Sequence, residues 1–86
     1  MYVLAVFLNR TETIKFYNDL KRAGVNATIV STAKGLGTAC SVAVKFYLKN
    51  LVRANAVLLK GNYKSFNNFF KIVYNKQSVI YEIIRI

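Results

Sequence analysis

The chain contains no histidine, proline or tryptophan, and it has one cysteine and three acidic residues among 86. The absence of histidine excludes imidazole acid–base catalysis and histidine metal sites. The acids, Glu12, Asp19 and Glu82, are far apart in sequence, so we expect them to cap helices or face solvent. Because one cysteine is a poor metal set and no Walker or dinucleotide motif is present, we expect no metal site and no cofactor.

A single cysteine cannot form a disulfide within the chain, which is typical of a protein in the reducing cytoplasm. No apolar run approaches the ~20 residues that span a membrane, and the apolar residues 2–8 lack the flanks of a signal peptide. We therefore expect a cytoplasmic protein with no membrane insertion. A length of 86 residues predicts one domain covering residues 1–86, and a hydrophobic fraction of 55% is too apolar for a disordered chain.

Positive charge dominates the surface chemistry. Thirteen lysines and arginines against three acids give a formal net charge of +10. Such a charge favours nucleic acid, an anionic membrane surface or an acidic protein as partner. The same charge could follow from a Lys/Asn/Tyr/Ile-rich composition without any partner.

Periodicity predicts the order of the elements. Residues 2–8 form an apolar strand, and Asn9 then caps a helix, with Glu12 reaching back in a capping box and Gly24 as the left-handed residue after the last turn. A second helix is predicted over residues 51–60, from Asn50 as cap to Gly61 as stop. Further strands are predicted over residues 26–30, 39–46 and 78–86, and a helix over residues 62–74, where Phe66, Phe69, Phe70 and Val73 share one helical face.

This order, β-α-β-β-α-α-β, predicts an α+β fold. Two β-α-β halves with right-handed crossovers give a ferredoxin-like split β-α-β sandwich. We expect a four-stranded antiparallel sheet, helices on one face, and one extra helix before the last strand. The other face, carrying Ser41, Ala43 and Lys45 or their mirror, is expected to be open, and an exposed face or edge strand would allow a homodimer.

Cys40 is the first candidate functional residue. It lies where a polar, glycine-bearing loop meets the third strand, and Lys34 lies in that loop. A nearby cation lowers the pKa of a thiol and makes it a better nucleophile. Free cysteine is also among the most buried residue types, so Cys40 could equally be a packed core residue.

The segments around Cys40 resemble a known family. They are the strand Tyr2-Val-Leu-Ala-Val-Phe7, a helix ending in Ala-Gly24-Val, the strand Thr28-Ile-Val30 and Ala39-Cys40-Ser-Val-Ala-Val44. Together they resemble the small bacterial family of selenium/sulfur-carrier-like proteins, over roughly residues 2 to 60. The resemblance implies a ferredoxin-like fold and a carrier role for Cys40. In that role Lys34 would stabilise the thiolate, and the backbone amides of the loop (Gly35, Gly37 and Thr38) would hold the transferred atom.

A basic and aromatic segment is the second candidate. Charged and ring side chains interleave there in the way of single-strand binders, at Lys60, Tyr63, Lys64, Lys71, Tyr74 and Lys76. The phenylalanines between them could equally be core packing. Three functions therefore stay open: a non-enzymatic sulfur or selenium carrier, a nucleic-acid-binding module, and an oligomeric or regulatory subunit with an acidic partner.

Overall fold

Five strands and two α-helices make up the described part of the chain. The structure is a computed structural model and describes residues 1–31, 42–76 and 78–84. The elements in chain order are β1 (Tyr2–Phe7), α1 (Arg10–Arg22), β2 (Ala27–Ser31), β3 (Val42–Tyr47), α2 (Leu51–Gly61), β4 (Phe66–Tyr74) and β5 (Val79–Ile84). A short 3-10 turn, Leu48–Asn50, leads from β3 into α2.

The strands form one antiparallel sheet in the order β2-β3-β1-β4-β5. Helix α1 connects β1 to β2 across β3, and α2 connects β3 to β4 across β1. The predicted α+β class and antiparallel sheet are confirmed. The predicted number of four strands is wrong, because β4 and β5 form a hairpin where a helix and one strand were expected.

The predicted helix over residues 62–74 is wrong, and a β-bulge explains the error. The pairing of β1 with β4 shifts between Val6, opposite Asn68, and Phe7, opposite Phe66. The extra residue in β4 places Phe66 on the same sheet face as Phe69, three positions later, with their rings 4.9 Å apart. Because β4 is buried on both faces, Phe70 packs on the opposite side. The resulting spacing of buried rings imitates the helical period.

Asn9 and Gly24 act at the two ends of α1 as predicted. The side-chain oxygen of Asn9 accepts a hydrogen bond of 2.7 Å from the N–H of Glu12. At the other end Gly24 has φ +81°, the N–H of Val25 donates to the carbonyl of Leu20, and the N–H of Gly24 donates to that of Lys21. These two bonds form a Schellman motif, and Val25 and Leu20 are both buried in the core.

Helix α2 ends differently from the prediction. Asn50 makes no side-chain capping bond, and Gly61 is the last helical residue. Asn62, at φ 56°, takes the left-handed conformation that was expected of a glycine stop. Gly61 is needed for another reason: a Cβ there would overlap the ring of Tyr63.

The sheet has two distinct faces. Both helices pack on one face, against a core that includes Val3, Phe7, Phe16, Leu20 and Phe46. The opposite face, hereafter the outer face, carries a second cluster of buried residues: Leu4, Val6, Ala43, Phe70 and Ile72. Ala43 and Lys45 lie on the outer face as predicted, since their neighbours Val44 and Phe46 point to the helices. Ser41 lies outside the described residues.

The length of the helices is relevant to the expectation that the chain does not insert into a membrane. Within the described residues, neither α-helix is long and apolar enough to cross a membrane.

Candidate functional site

The loop predicted to hold the carrier thiol lies outside the described residues. This applies to Lys34, Gly35, Gly37, Thr38 and Cys40. The residues on either side of it are described: Ser31 and Val42 pair at the end of the β2–β3 hairpin. The sheet register places this end beside the end of β1, where α1 begins at Arg10. The N-terminus of a helix carries partial positive charge, so this end of the sheet has a favourable potential for anions.

The six basic and aromatic residues of the second candidate do not form one surface. Lys60, Tyr63 and Lys64 precede β4, whereas Tyr74 and Lys76 lie at its far end. Strand β4 has nine residues, so its two ends are about 26 Å apart. Lys71 lies on the helix side of the sheet, where its Nζ is 3.6 Å from the carboxylate of Glu82, while Tyr74 lies on the outer face.

Tyr63 is a structural residue of the joint between α1 and the segment before β4. Its ring packs 5.2 Å from that of Phe7 and 5.5 Å from that of Phe16. Its hydroxyl donates a hydrogen bond to Asp19, and the Nζ of Lys15 lies 4.1 Å from the ring centre. Burial and the Asp19 hydrogen bond raise the pKa of Tyr63 well above its usual value. The described contacts therefore already occupy both the ring and the hydroxyl of Tyr63.

Glu12 holds the same joint. Its carboxylate accepts hydrogen bonds from the backbone N–H of Lys64, at 3.0 Å, and of Ser65, at 2.6 Å, and from the hydroxyl of Ser65. These donors, led by the N–H of Lys64, lower the pKa of Glu12. The prediction that Glu12 accepts a return bond from the N–H of Asn9 in a capping box is wrong. Its carboxylate instead accepts hydrogen bonds from residues that are distant in sequence. No local pattern could have shown this contact, since 52 positions separate Glu12 from Lys64.

A group of tyrosines and lysines on the outer face was not predicted from the sequence. Tyr2 of β1 and Tyr47 of β3 face each other, with ring centres 4.7 Å apart and planes inclined by 24°. The Nζ of Lys45 lies 4.1 Å from the centre of the Tyr2 ring, and that of Lys49 lies 5.6 Å from the Tyr47 ring. We call these four residues the tyrosine–lysine cluster.

The cluster borders an open groove of about 340 Å³, which Asn26 and Thr28 also line. The tyrosine hydroxyls are 3.2 Å apart, and their hydrogen bond raises the pKa of Tyr47 above its usual value. The Tyr47 phenol therefore stays neutral at physiological pH. A groove lined by two tyrosine rings and the ammonium group of Lys45, with that of Lys49 near Tyr47, can take a planar or anionic ligand.

The described residues offer no cluster of three or more potential metal ligands. The three acids serve other contacts: Glu12 and Asp19 at the Tyr63 joint, and Glu82 beside Lys71.

Comparison with known proteins identifies the family of this chain. Residues 2–67 match the model of the family described as "Putative Se/S carrier protein-like". Cys40 lies within the matched range. No match was found among the curated proteins or among the solved structures.

Proposed function

We propose, from the premise that this chain belongs to the Se/S carrier protein-like family, that it carries sulfur or selenium on Cys40. The observation that carries the proposal is the family match across residues 2–67, a range that contains the only thiol of the chain. In this proposal the protein is a carrier that receives and passes on a chalcogen atom and is not itself the enzyme that releases it.

Loading is a thiol exchange. The Cys40 thiolate attacks the outer sulfur of a donor persulfide, R–S–SH. A new S–S bond forms to Cys40, the S–S bond of the donor breaks, and R–S⁻ leaves with the bonding pair. The proton stays on the transferred sulfur, so neither an oxidant nor a reductant is consumed. A donor carrying selenium would react in the same way to leave Cys40–S–SeH.

The reaction requires a thiolate, and the charge of the protein favours one. Lys34 lies six positions before Cys40 in the same loop and would stabilise the thiolate, and the amides of Gly35, Gly37 and Thr38 would hold the transferred atom. The described residues add a second source of positive potential, since the hairpin end at Ser31 and Val42 adjoins the start of α1. The net charge of +10 acts in the same direction.

Transfer can be measured directly. The protein, reduced and freed of small thiols, is incubated with glutathione persulfide, and its intact mass is followed. We expect a gain of one sulfur atom that cyanide or dithiothreitol removes, and no gain in Cys40→Ser. A wild-type mass that does not change under these conditions would refute the carrier proposal, as would an equal gain in Cys40→Ser.

The ferredoxin-like assignment belongs to the same proposal. It is supported by the order β2-β3-β1-β4 and by the two helical crossovers, to which β5 adds a fifth strand. An experimental structure in which α1 and α2 lay on opposite faces of the sheet would contradict it.

The homodimer also stays a proposal, and β5 is the surface that favours it. This strand is at the edge of the sheet and exposes Val79, Ile80 and Ile83. Light scattering on protein eluted from a size-exclusion column should give twice the chain mass for the wild type. The same measurement should give the mass of one chain for Ile83→Lys. The matched control is Val52→Lys, since Val52 is an exposed aliphatic residue of α2. A wild type that elutes as a monomer would rule the dimer out.

A further inference from the structure

We infer that the outer face of the sheet binds single-stranded nucleic acid, with the tyrosine–lysine cluster at the centre of the contact. This inference does not depend on Cys40 and concerns different residues from the basic segment singled out in the sequence. It rests on the arrangement of rings, on the placement of charge and on the groove between β1, β2 and β3.

Three tyrosine rings and one buried isoleucine form a row across the sheet. Tyr47 pairs with Tyr2, Tyr2 pairs with Ile72, and Ile72 pairs with Tyr81. Tyr74, two residues beyond Ile72 along β4, lies on the same face and is 62% exposed. Four of the six tyrosines of the chain therefore lie near one end of the outer face. Adjacent strands are ~4.8 Å apart, so Tyr47 and Tyr81 are about 14 Å apart, which is room for two or three bases.

The two lysines of the cluster form no ion pair with an acidic side chain among the described residues. The ion pairs among the described residues involve Lys15, Arg22 and Lys71, whereas Lys45 and Lys49 contact tyrosine rings. The three acidic side chains of the chain are all engaged elsewhere, on α1 or on the helix side of the sheet. An anionic ligand would therefore meet two ammonium groups and no carboxylate side chain in the cluster.

Single-stranded nucleic acid is the partner that uses both properties. Its phosphates would bind Lys45 and Lys49, and its bases would stack on the rings that the lysines now cover. An acidic protein would use the charge but not the row of rings. A duplex keeps its bases stacked internally, so it could use the charge alone.

The test is the affinity of the protein for fluorescein-labelled oligouridine and oligodeoxyuridine, measured by anisotropy at several salt concentrations. Two double variants remove the same charge at different places: Lys45→Gln with Lys49→Gln in the cluster, and Lys60→Gln with Lys64→Gln near Tyr63. We expect the cluster variant to weaken binding about tenfold and to lower the salt slope by about 1.4, the value for two phosphate contacts on a single strand. The second variant should weaken binding about twofold at most through net charge.

A ring substitution separates stacking from charge. Tyr47→Leu leaves the charge unchanged and should weaken binding about tenfold if a base stacks there. Its control is Tyr17→Leu, since Tyr17 also has a lysine near its ring, with the Nζ of Lys21 at 5.9 Å, but lies on α1. Thermal melting of each variant confirms that it is folded. Cys40→Ala should bind the oligonucleotide as the wild type does.

Four results would overturn the inference. They are no binding of either oligonucleotide at low salt, an equal loss in the two double variants, binding of duplex as tight as binding of single strands, and tighter binding to vesicles of anionic lipid than to the oligonucleotides. A preference for oligouridine over oligodeoxyuridine, or the reverse, would support it and identify the sugar, since these two strands differ only in the 2′-hydroxyl.

Discussion

Two lysine–tyrosine contacts in this protein have the same distance between ammonium and ring and different surroundings. The Nζ of Lys15 is 4.1 Å from the ring of Tyr63, and the Nζ of Lys45 is 4.1 Å from the ring of Tyr2. At Tyr63 the lysine also lies 3.5 Å from Asp19 and donates to the carbonyl of Gly61, so its charge is neutralised within the fold. At Tyr2, the part of the chain that the structure describes gives Lys45 no ion pair with a carboxylate. The positions of the acidic residues, more than those of the basic residues, therefore distinguish a structural contact from a surface that is available to a ligand.

Truncating one ring in each region should give the largest difference in stability between the two regions. Tyr63→Ala removes a ring that packs on Phe7 and Phe16 and leaves Asp19 without its hydroxyl donor, so it should lower the free energy of unfolding by about 2–3 kcal/mol. Tyr47→Ala, at a ring 41% exposed, should cost about 1 kcal/mol or less. Urea denaturation measures both. Equal losses would show that the two tyrosines have the same role.

Gly61 tests how tightly the Tyr63 joint is packed. In an ordinary helix, replacing glycine by alanine stabilises the protein by up to about 1 kcal/mol. Here the added Cβ would overlap the Tyr63 ring, so we expect Gly61→Ala to destabilise by about 1–2 kcal/mol instead. The double variant Gly61→Ala with Tyr63→Ala removes the overlap. If the alanine were stabilising in the wild-type background, the joint would be looser than the structure shows.

A smaller difference should separate the two lysines. Lys15→Gln loses contacts with Asp19 and Gly61, and we expect a loss of about 0.5 kcal/mol, since exposed ion pairs contribute little. Lys45→Gln breaks no ion pair and lowers the net charge, so its stability should stay within about 0.5 kcal/mol of the wild type. Calorimetric melting of the two variants compares them. A larger loss of stability for Lys45→Gln than for Lys15→Gln would contradict the proposed difference between the two contacts.

The weakest expected effect is a pH dependence from Glu12. Its pKa is lowered in the folded protein by the amides of Lys64 and Ser65, so the ionised form stabilises the fold at neutral pH. That contribution is complete above the ordinary value of 4.5 and is lost as the pH falls towards the lower folded pKa. Melting temperatures of the wild type should therefore fall more steeply below pH 4.5 than those of Glu12→Gln. Parallel curves would mean that Glu12 contributes no such term.

Elements set by local signals could be predicted from the sequence. The apolar run of β1, the Asn9 cap and the Gly24 terminus each depend on residues within a few positions, and all three are confirmed. Strand β4 could not be predicted, because the bulge near Asn67 gives its phenylalanines a helical spacing. A strand buried on both faces has no alternation that would correct the error.

The outer face lay beyond sequence reasoning for a different reason. Tyr2 and Tyr47 are 45 positions apart, and their contact depends on the register of β1 against β3. The predicted strand over residues 2–8 contained Tyr2, but the one over residues 39–46 stopped just before Tyr47, and neither prediction gave a register. For the Cys40 loop the chemistry of the residues and the family match support the same role, and that role stays a prediction.

The most direct measurement of the carrier role is the rate of iodoacetamide labelling of Cys40 in the folded protein as a function of pH. A carrier thiol next to Lys34 should label with a pKa clearly below the ordinary ~8.5 of a free cysteine, and Lys34→Gln should raise that pKa. A pKa at or above ~8.5, or a thiol that labels only after unfolding, would contradict the account.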